Sequence, residues 1–353
     1  MDIRRVDIRD QGAYSFCTTL GEIRPVTALH WQQFASLRSA GFVSAPDIKE
    51  DGMTISVEQM RVSANGIDFH VAAAGPKDAP AVFCLHGFPE GWMSWRPVME
   101  ALSDVRFYAP DLRGYGETAK PRRGYDVFTL TDDISALIQA LGIDRPLLLC
   151  HDWGGCLGWI FSHRYGQNIR KLVVINCPHP KTLVRAVLRF EDFQTIRIPW
   201  VPVFEIPWIP EWFLTTSLGR LGLKLSFTLR EGRKGTMDLA LVDELVGRFR
   251  KSSDMRGPIA YYREMVCTQL VSSRRARLEA LYRAPIAVPV TLLWGARDGA
   301  LSARVAMNSA IDAGCDVDFR PLPGVGHFVT LEAIDMLTPE LRRAIASGDV
   351  ATD

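Results

Sequence analysis

The pattern of apolar and polar positions becomes regular near residue 58. Residues 58–75 ("EQMRVSANGIDFHVAAAG") alternate on both sides of Asn65-Gly66, a dipeptide typical of a tight hairpin turn. Six later runs are almost wholly apolar and predict buried strands: "PAVFCLHG", "RFYAPDLRG", "RPLLLCHDWGG", "KLVVINCPHP", "VPVTLLWGARD" and "DVDFRPLPGVGH". Helical patterns such as "DVFTLTDDISALIQALGI" separate them. Apolar strands that alternate with helices predict an α/β fold, with a mostly parallel central sheet covered by helices on both faces.

This alternation is interrupted between residues 181 and 285. The interrupted stretch contains helical patterns, "TMDLALVDELVGRFRKSSDM" and "PIAYYREMVCTQLVSSRRARLEALYR", but no clear strand. Residues 1–55 also lack strand patterning, although "PVTALHWQQFASLRSAGF" is compatible with a helix. The pattern therefore predicts an N-terminal extension (1–55), a core in two parts (56–180 and 286–353) and a helical insertion (181–285).

Composition and charge indicate an ordinary globular protein. The chain has 353 residues, is 47% hydrophobic and carries a net charge of +1, which gives no sign of nucleic-acid binding. Seven cysteines without a CxxC pair favour reduced thiols in a cytoplasmic protein. The sequence contains no metal-ligand motif and leaves open a monomer or a homodimer.

Membrane insertion is not expected from the apolar runs. None reaches the roughly 18 residues that a spanning helix needs, and the N-terminus lacks the apolar segment of a signal peptide. The longest, "IPWVPVFEIPWIPEWFL", is broken by prolines and acids. That segment leaves open a peripheral contact with a membrane, or a role in covering an apolar pocket.

Polar residues follow several of the predicted strands. Asp152 follows "LLLCH", Asp298 follows "LLWGAR", and His327 follows "PLPGVG"; His86 ends another strand. Ligand chemistry in parallel sheets gathers at the carboxyl ends of strands. We therefore expect these side chains to share one edge of the sheet.

Asp152 occupies a turn where a nucleophile is expected. Cys150, Gly154 and Gly155 supply the small residues that such a cramped strand-to-helix turn requires, and no GxSxG occurs in the chain. An aspartate, with a reference pKa of about 3.9, is already ionised at neutral pH. It can attack a saturated carbon without a base and form an alkyl ester.

The other residues then have separate roles. His327 would activate the water that hydrolyses the ester, and Asp298 would orient His327. Backbone N–H groups of Phe88 and Trp153 would stabilise the tetrahedral oxyanion. Each side chain alone has a structural interpretation, as a helix cap or a core histidine. Their chain order and their shared position at strand ends favour catalysis.

Five motifs carry a resemblance to a known family. "HGFPE", "DLRGYGET", "HDWGG", "WGARD" and "GVGH" resemble the epoxide hydrolase branch of the α/β-hydrolase family, from about residue 58 to the C-terminus. The resemblance implies an α/β-hydrolase fold whose helical insertion is a cap domain. It also implies a cofactor-independent hydrolase with a catalytic triad. Haloalkane dehalogenases share much of this pattern.

An epoxide oxygen leaves as an alkoxide and therefore needs a general acid. Family epoxide hydrolases take it from cap tyrosines, usually two. "GPIAYYREM" matches the motif of the second tyrosine, which implies that Tyr262 is the acid, with Tyr261 as the alternative. The first tyrosine is missing from the corresponding "PVFEIPW". Tyr262 then acts alone or with another donor such as His179 or Tyr115, or the cap serves another leaving group.

The insertion is rich in Trp, Phe, Leu and Ile, and this composition indicates the surroundings of the site. The pocket is expected to be apolar and to hold a small apolar substrate. Asp111 and Arg113 of "DLRGYGET" are expected to fix a nearby loop rather than to react. The residues expected to line the pocket are His86, Trp153, Phe204, Tyr261 and Phe328.

Three functions remain open. The leading one is an epoxide hydrolase that forms a vicinal diol through an ester on Asp152. A haloalkane dehalogenase would use the same triad, with Trp153 and a cap tryptophan (Trp200, Trp208 or Trp212) as halide donors. Phe88 and Trp153 differ from the Asn and Arg found at these positions in two dehalogenase groups. The third is a non-catalytic scaffold that binds an apolar ligand.

Overall fold

The computed structural model describes residues 55–347, and its sheet contains every predicted strand. The spatial order is β1-β2-β4-β3-β5-β6-β7-β8; β2 pairs antiparallel with β1 and β4, and the remaining neighbours are parallel. The strands are β1 (Val57–Ala64), β2 (Ile67–Ala74), β3 (Ala81–Leu85), β4 (Arg106–Pro110), β5 (Leu147–His151), β6 (Lys171–Ile175), β7 (Val290–Gly295) and β8 (Val317–Leu322). The predicted α/β fold is therefore confirmed.

The β1–β2 hairpin turns at the predicted dipeptide. Asn65 has a φ of 44° and Gly66 a φ of 76°, so both central residues are left-handed, as a type I′ turn requires. Ala64 pairs with Ile67 across this turn, which fixes the register of the hairpin.

Helices cover both faces of the sheet. Their bounds are α1 (Arg96–Ala101), α2 (Val127–Ala140), α3 (Trp153–Tyr165), α4 (Pro180–Leu188), α5 (Gln194–Arg197), α6 (Trp200–Phe204), α7 (Ile209–Phe213), α8 (Ser217–Thr228), α9 (Leu239–Gly247), α10 (Ser252–Leu270), α11 (Ser272–Leu281), α12 (Ala303–Ala306), α13 (Ser309–Ala313), α14 (Val329–Glu332) and α15 (Ile334–Ser347). Short 3-10 helices span Trp92–Trp95, Gly166–Asn168 and Glu191–Phe193. Side chains of α2 and α3 belong to one apolar core, and those of α1 and α15 belong to another. The central strands are buried on both faces, which explains their continuous apolar sequence.

Helices α4 to α11 lie between β6 and β7, where the sequence predicts a helical insertion. The helical pattern after residue 258 corresponds to two helices, α10 and α11. Val271 has an extended backbone (φ −89°, ψ 111°) that separates α10 from α11. The predicted N-terminal extension (1–55), apart from its last residue, and the helix expected within it lie outside the described residues.

Helix α10 approaches the sheet closely at a pair of glycines. A Cβ built on Gly257 would lie 2.6 Å from the Cα of Gly114, so neither position has room for a side chain. This contact brings the middle of α10 against the loop after β4. No helix within residues 55–347 is long and apolar enough to cross a membrane.

Candidate active site

Asp152 stands at the tip of the turn between β5 and α3. Its backbone is strained (φ 48°, ψ −117°), and its side chain makes no capping hydrogen bond to α3. Its Oδ1 instead accepts a 2.8 Å hydrogen bond from the Phe88 N–H. The turn is crowded, because a Cβ on Gly154 would lie 2.1 Å from the Leu85 carbonyl oxygen. The helix-cap interpretation of Asp152 therefore does not fit this geometry.

His327 lies between two carboxylates. Its Nε2 is 3.6 Å from Asp152 Oδ2, and its Nδ1 is 2.7 Å from Asp298 Oδ2. Asp298 Oδ1 accepts hydrogen bonds from the N–H groups of Ala300 (2.7 Å) and Leu301 (2.9 Å). Asp298 thus caps its own turn with one oxygen and orients His327 with the other.

The charges of these three groups are coupled. Burial opposes a charge on His327, but Asp298 and Asp152 outweigh it and raise its pKa to about 10. Burial would also raise the pKa of Asp152, yet the contact with His327 holds it below its ordinary value. The same balance holds the pKa of Asp298 low. At neutral pH the group is therefore two carboxylates around an imidazolium.

Asn176 is a site residue that the sequence analysis missed. It follows β6, is fully buried and has a φ of 47°. Its amide nitrogen donates to Asp298 Oδ2 (2.7 Å) and to the Gly326 carbonyl (3.1 Å), while its Oδ1 accepts from the Gly295 N–H (2.7 Å). The only sequence signal is a polar residue after the apolar run "KLVVI".

A buried histidine–glutamate pair lies beneath the candidate nucleophile. His151 Nδ1 is 2.9 Å from Glu90 Oε1, and neither side chain is exposed. His151 Nε2 lies 2.9 Å from the His327 carbonyl oxygen, and Glu90 Oε2 accepts from the Gly87 N–H. His151 belongs to the motif "HDWGG" and Glu90 to "HGFPE". Both motifs carry the family resemblance, but the sequence predicted no role for either residue.

A cavity of about 500 Å³ opens above Asp152. Asp152, His327 and Tyr262 face it together, and its remaining lining is mostly apolar. Of the five predicted pocket residues, Trp153, Phe204 and Phe328 line this cavity. Phe88 and Trp200 also contribute to its wall.

Tyr262 is held in an aromatic cage. Its ring lies 4.9 Å from Trp153, 5.0 Å from Phe204 and 5.6 Å from Phe88, each centroid to centroid and edge to face. Burial and the nearby charge of Asp152 raise its pKa above its ordinary value, although contacts with Trp153 and Trp200 act in the other direction. The phenol therefore keeps its proton at neutral pH.

The predicted pocket positions of His86 and Tyr261 are wrong. His86 is fully buried, its Nδ1 lying 2.9 Å from the Gly87 carbonyl and its Nε2 accepting from the Leu112 N–H. Tyr261 points about 100° around α10 from Tyr262, since successive helix residues diverge by that angle. Its hydroxyl donates to the Arg113 carbonyl (3.0 Å), away from the cavity.

The other suggested donors are also elsewhere. Tyr115 is buried against His86 and Tyr261, and the His179 Nδ1 accepts from the backbone at the start of α4. Neither residue lines the cavity. Of the three cap tryptophans, Trp200 lines it, whereas Trp208 and Trp212 are 71% and 57% exposed and lie outside it.

The loop of "DLRGYGET" is fixed as predicted. Asp111 accepts hydrogen bonds from Arg248 and from the Trp92 N–H, and His70 Nδ1 lies 3.0 Å from it. Arg113 forms a bidentate pair with Asp133 at 2.6 and 2.7 Å. Both side chains are thus engaged in structural contacts.

Three further cavity residues bear on chemistry. Arg230 lines the cavity with its guanidinium 4.6 Å from the centre of the Trp200 ring. Cys156 and Cys177 also line it as free thiols, and burial raises the pKa of both. Within residues 55–347, no cluster of three or more His, Cys, Asp or Glu side chains could hold a metal ion.

Comparisons with known proteins agree with the fold. Residues 80–333 match a family model described as alpha/beta hydrolase fold. Human "Epoxide hydrolase 4" is 34% identical over 258 residues, covering 70% of this chain and 67% of that protein. Mouse "Epoxide hydrolase 3" is 31% identical over 282 residues, covering 78% and 73%. The crystal structure of an epoxide hydrolase from Vigna radiata superposes with a TM-score of 0.68 at 26% identity, covering 84% of this chain and all of that one.

Proposed function

Because the chain belongs to the alpha/beta hydrolase fold family, we propose that it is an epoxide hydrolase that opens an apolar epoxide to a vicinal diol. Asp152 attacks a ring carbon and forms a covalent alkyl ester. Water activated by His327 and Asp298 then hydrolyses the ester. The names of the human, mouse and Vigna radiata relatives support the choice of an epoxide.

One observation carries this proposal. The Asp152 carboxylate faces the cavity, receives a hydrogen bond from the Phe88 N–H, and lies 3.6 Å from His327 Nε2. An ion pair with His327 does not by itself account for this arrangement. The strained backbone of Asp152 costs energy, and a contact at 3.6 Å would not offset that cost.

The raised pKa of His327 suggests why this histidine acts as a base only in hydrolysis of the ester and not in its formation. In the free enzyme, the carboxylates keep His327 protonated. Esterification removes the charge of Asp152, and the histidine pKa falls because one of its two anionic neighbours is lost. His327 then releases its proton, which restores the one that Tyr262 gave to the epoxide oxygen, and as a neutral imidazole it accepts a proton from the attacking water. The Phe88 N–H, which already donates to Asp152, would remain on the ester carbonyl and stabilise the oxyanion with the Trp153 N–H.

Tyr262 is the proposed acid for the departing epoxide oxygen. It faces the same cavity as Asp152 and retains its proton at neutral pH. No other tyrosine lines the cavity within the described residues. The helices of residues 181–285 form the proposed cap, and their apolar side chains favour an apolar substrate.

The covalent route has a direct test. Asp152→Asn should abolish turnover of styrene oxide, and His327→Gln should accumulate an enzyme ester that mass spectrometry detects. A single turnover in ¹⁸O-water should label Asp152 and leave the first product unlabelled. Label that appears directly in the product would reject the ester.

The acid role can be separated from packing by a matched pair. Tyr262→Phe should lower kcat by about 100-fold, within the range for general acid catalysis. Tyr261→Phe removes a neighbouring phenol that contacts Arg113. It should lower stability but leave kcat within about threefold. Equal kcat losses in both variants would reject the role of Tyr262.

The indole groups favour a second candidate, a haloalkane dehalogenase. Trp153 and Trp200 both line the cavity and both contact Tyr262, so two N–H donors lie where a halide could be held. Halide release from 1-bromobutane by the wild type, without diol formation from styrene oxide, would decide for this function. If the wild type catalysed neither reaction, and was as inactive as Asp152→Asn, the third function, a non-catalytic scaffold, would be supported.

A further inference from the structure

Arg230 is the one arginine or lysine that lines the cavity among the described residues, and apart from the candidate catalytic groups its surroundings there are mostly apolar. It lies just beyond α8, and its carbonyl oxygen accepts a 3.2 Å hydrogen bond from the His327 N–H. The backbone of Arg230 is therefore anchored to the loop that carries the candidate base. Its side chain extends along the cavity wall beside Trp200.

The guanidinium has few partners for its charge. Its hydrogen bond runs from Nη1 to the Ser226 carbonyl (3.1 Å), and its flat face covers the Trp200 ring. Among residues 55–347, no carboxylate lies within ion-pair distance of the Arg230 guanidinium. Arg113 and Arg248, by contrast, each form an ion pair with an aspartate. Burial lowers its pKa, and the more distant Asp298 and Asp152 carboxylates act in the other direction.

A partly buried cation without a counter-ion is costly, because a mostly apolar cavity replaces only part of the hydration that it loses. Apolar packing alone would be served equally well by leucine or methionine at this position. The five N–H groups of a guanidinium form a planar fork that matches a carboxylate, and one edge of this fork remains free of protein carboxylates.

We propose that Arg230 forms an anion subsite and that the substrate carries a carboxylate near its reactive ring. The inference rests on the proposed function and deepens it: the preferred substrate is an epoxy acid with an apolar chain, rather than a neutral epoxide. The carboxylate pairs with Arg230, the chain occupies the apolar wall around Phe204 and Phe328, and the ring faces Asp152 and Tyr262.

The position of the cation places the carboxylate close to the ring. Arg230 covers the Trp200 ring, and its carbonyl oxygen accepts a hydrogen bond from the His327 N–H, so it lies at the reactive end of the cavity. A carboxylate at the far end of a long chain could not reach Arg230 while its ring contacts Asp152. The subsite therefore distinguishes epoxy acids by the distance between the carboxylate and the epoxide ring.

The turnover test compares an acid with its neutral twin. A medium-chain 3,4-epoxy acid and its methyl ester share every group except the charge. The wild type should favour the acid by about 10-fold or more in kcat/KM. Arg230→Gln should lower kcat/KM for the acid by about 10- to 100-fold, mainly through KM, and change the ester by less than threefold. Arg230→Lys should recover part of the loss.

A binding test is independent of the reaction. Octanoate and octanamide, titrated into the full chain by calorimetry, should differ in Kd by about 10-fold in the wild type and by less than threefold in Arg230→Gln. Arg275→Gln, which changes an exposed arginine of α11 outside the cavity, should leave the difference intact. Neither ligand carries an epoxide, so the measured difference does not depend on turnover.

The outcomes separate the two proposals. If the wild type does not turn over styrene oxide but still binds octanoate more tightly than octanamide, the epoxide reaction is rejected and the anion subsite is retained. Equal losses for acid and ester in Arg230→Gln would reject the subsite, because the arginine would then serve the fold or the reaction itself. A wild type that prefers the ester, or binds octanamide as tightly as octanoate, would also overturn it.

Discussion

At the scale of single residues, the site depends on hydrogen bonds that join segments far apart in the chain. Asn176 follows β6, contacts Asp298 after β7 and also reaches Gly326 beside the candidate base. No pattern along the sequence connects these positions, because each lies in its own strand-end loop. Arg230 was missed for the same reason, since its relation to His327 arises only from folding.

Asn176→Ala should lower kcat with little change in KM. The substitution removes a hydrogen bond to a charged group, worth about 1.5–3 kcal/mol, and so about 10- to 100-fold in rate if it holds Asp298 in the reactive orientation. Steady-state kinetics with styrene oxide measure the effect. Asn168→Ala, on the 3-10 helix outside the cavity, is the matched control. An unchanged kcat would show that Asp298 needs no such support.

The charge coupling of the site predicts a change in histidine titration. Asp152→Asn removes an anion that raises the His327 pKa, so that pKa should fall below its value of about 10. NMR titration of the histidine side chains, with His327→Gln for assignment, measures it. Asp104→Asn removes a surface carboxylate paired with Arg342 and should have no effect. An unaltered pKa would contradict the proposed release of His327 on esterification.

At the scale of secondary structure, the strands were predictable and the direction of individual side chains was not. Burial on both faces gives β5 and β6 an unbroken run of four apolar residues each, so the sequence pattern alone reveals them. The break at Val271 is marked only by the polar stretch "SSRRAR" that follows it, which a continuous helix also tolerates at the protein surface. Tyr261 and His86 were misplaced since a motif identifies a short segment, whereas the neighbours of each side chain decide which way it points.

The packing of α3 against β3 gives a prediction at this scale. A methyl group at Gly154 would collide with the Leu85 carbonyl, at 2.1 Å, and the backbone must move to relieve the contact. Gly154→Ala should therefore lower the free energy of unfolding by about 1–3 kcal/mol or more, as measured by urea denaturation.

Gly166 provides the control for this substitution. A Cβ there meets nothing within 4 Å, and its φ of −54° suits any residue. Gly166→Ala should leave stability nearly unchanged. Comparable losses in both variants would indicate a general cost of alanine rather than a collision beneath the nucleophile.

At the scale of the whole molecule, a buried ion pair joins the helical insertion to the sheet. Arg248, just after α9, pairs at 2.6 Å with Asp111, whose side chain is fully buried after β4. His70 on β2 also contacts this carboxylate, and the surrounding charges hold the pKa of Asp111 far below its usual range despite burial. One aspartate thus connects strand, loop and insertion.

Arg248→Gln should destabilise the protein by about 3–5 kcal/mol, because it leaves a buried carboxylate without its cation. Limited proteolysis should then cut residues 181–285 earlier than the sheet. Arg250→Gln, two residues away, removes only an exposed contact with the Gly247 carbonyl and should behave as wild type. Uniform proteolysis of sheet and insertion would show that the pair stabilises the fold as a whole rather than its attachment.

The two thiols of the cavity bear on whether the substrate can alkylate the protein at a cysteine. Epoxides alkylate thiolates readily, and Cys156 and Cys177 share the chamber in which such an electrophile would be held. Only the thiolate is a strong nucleophile, and burial keeps both sulfurs protonated. The reagent would thus find a single reactive anion, a carboxylate whose ester water can undo, and would spare the sulfurs, whose thioethers would be permanent.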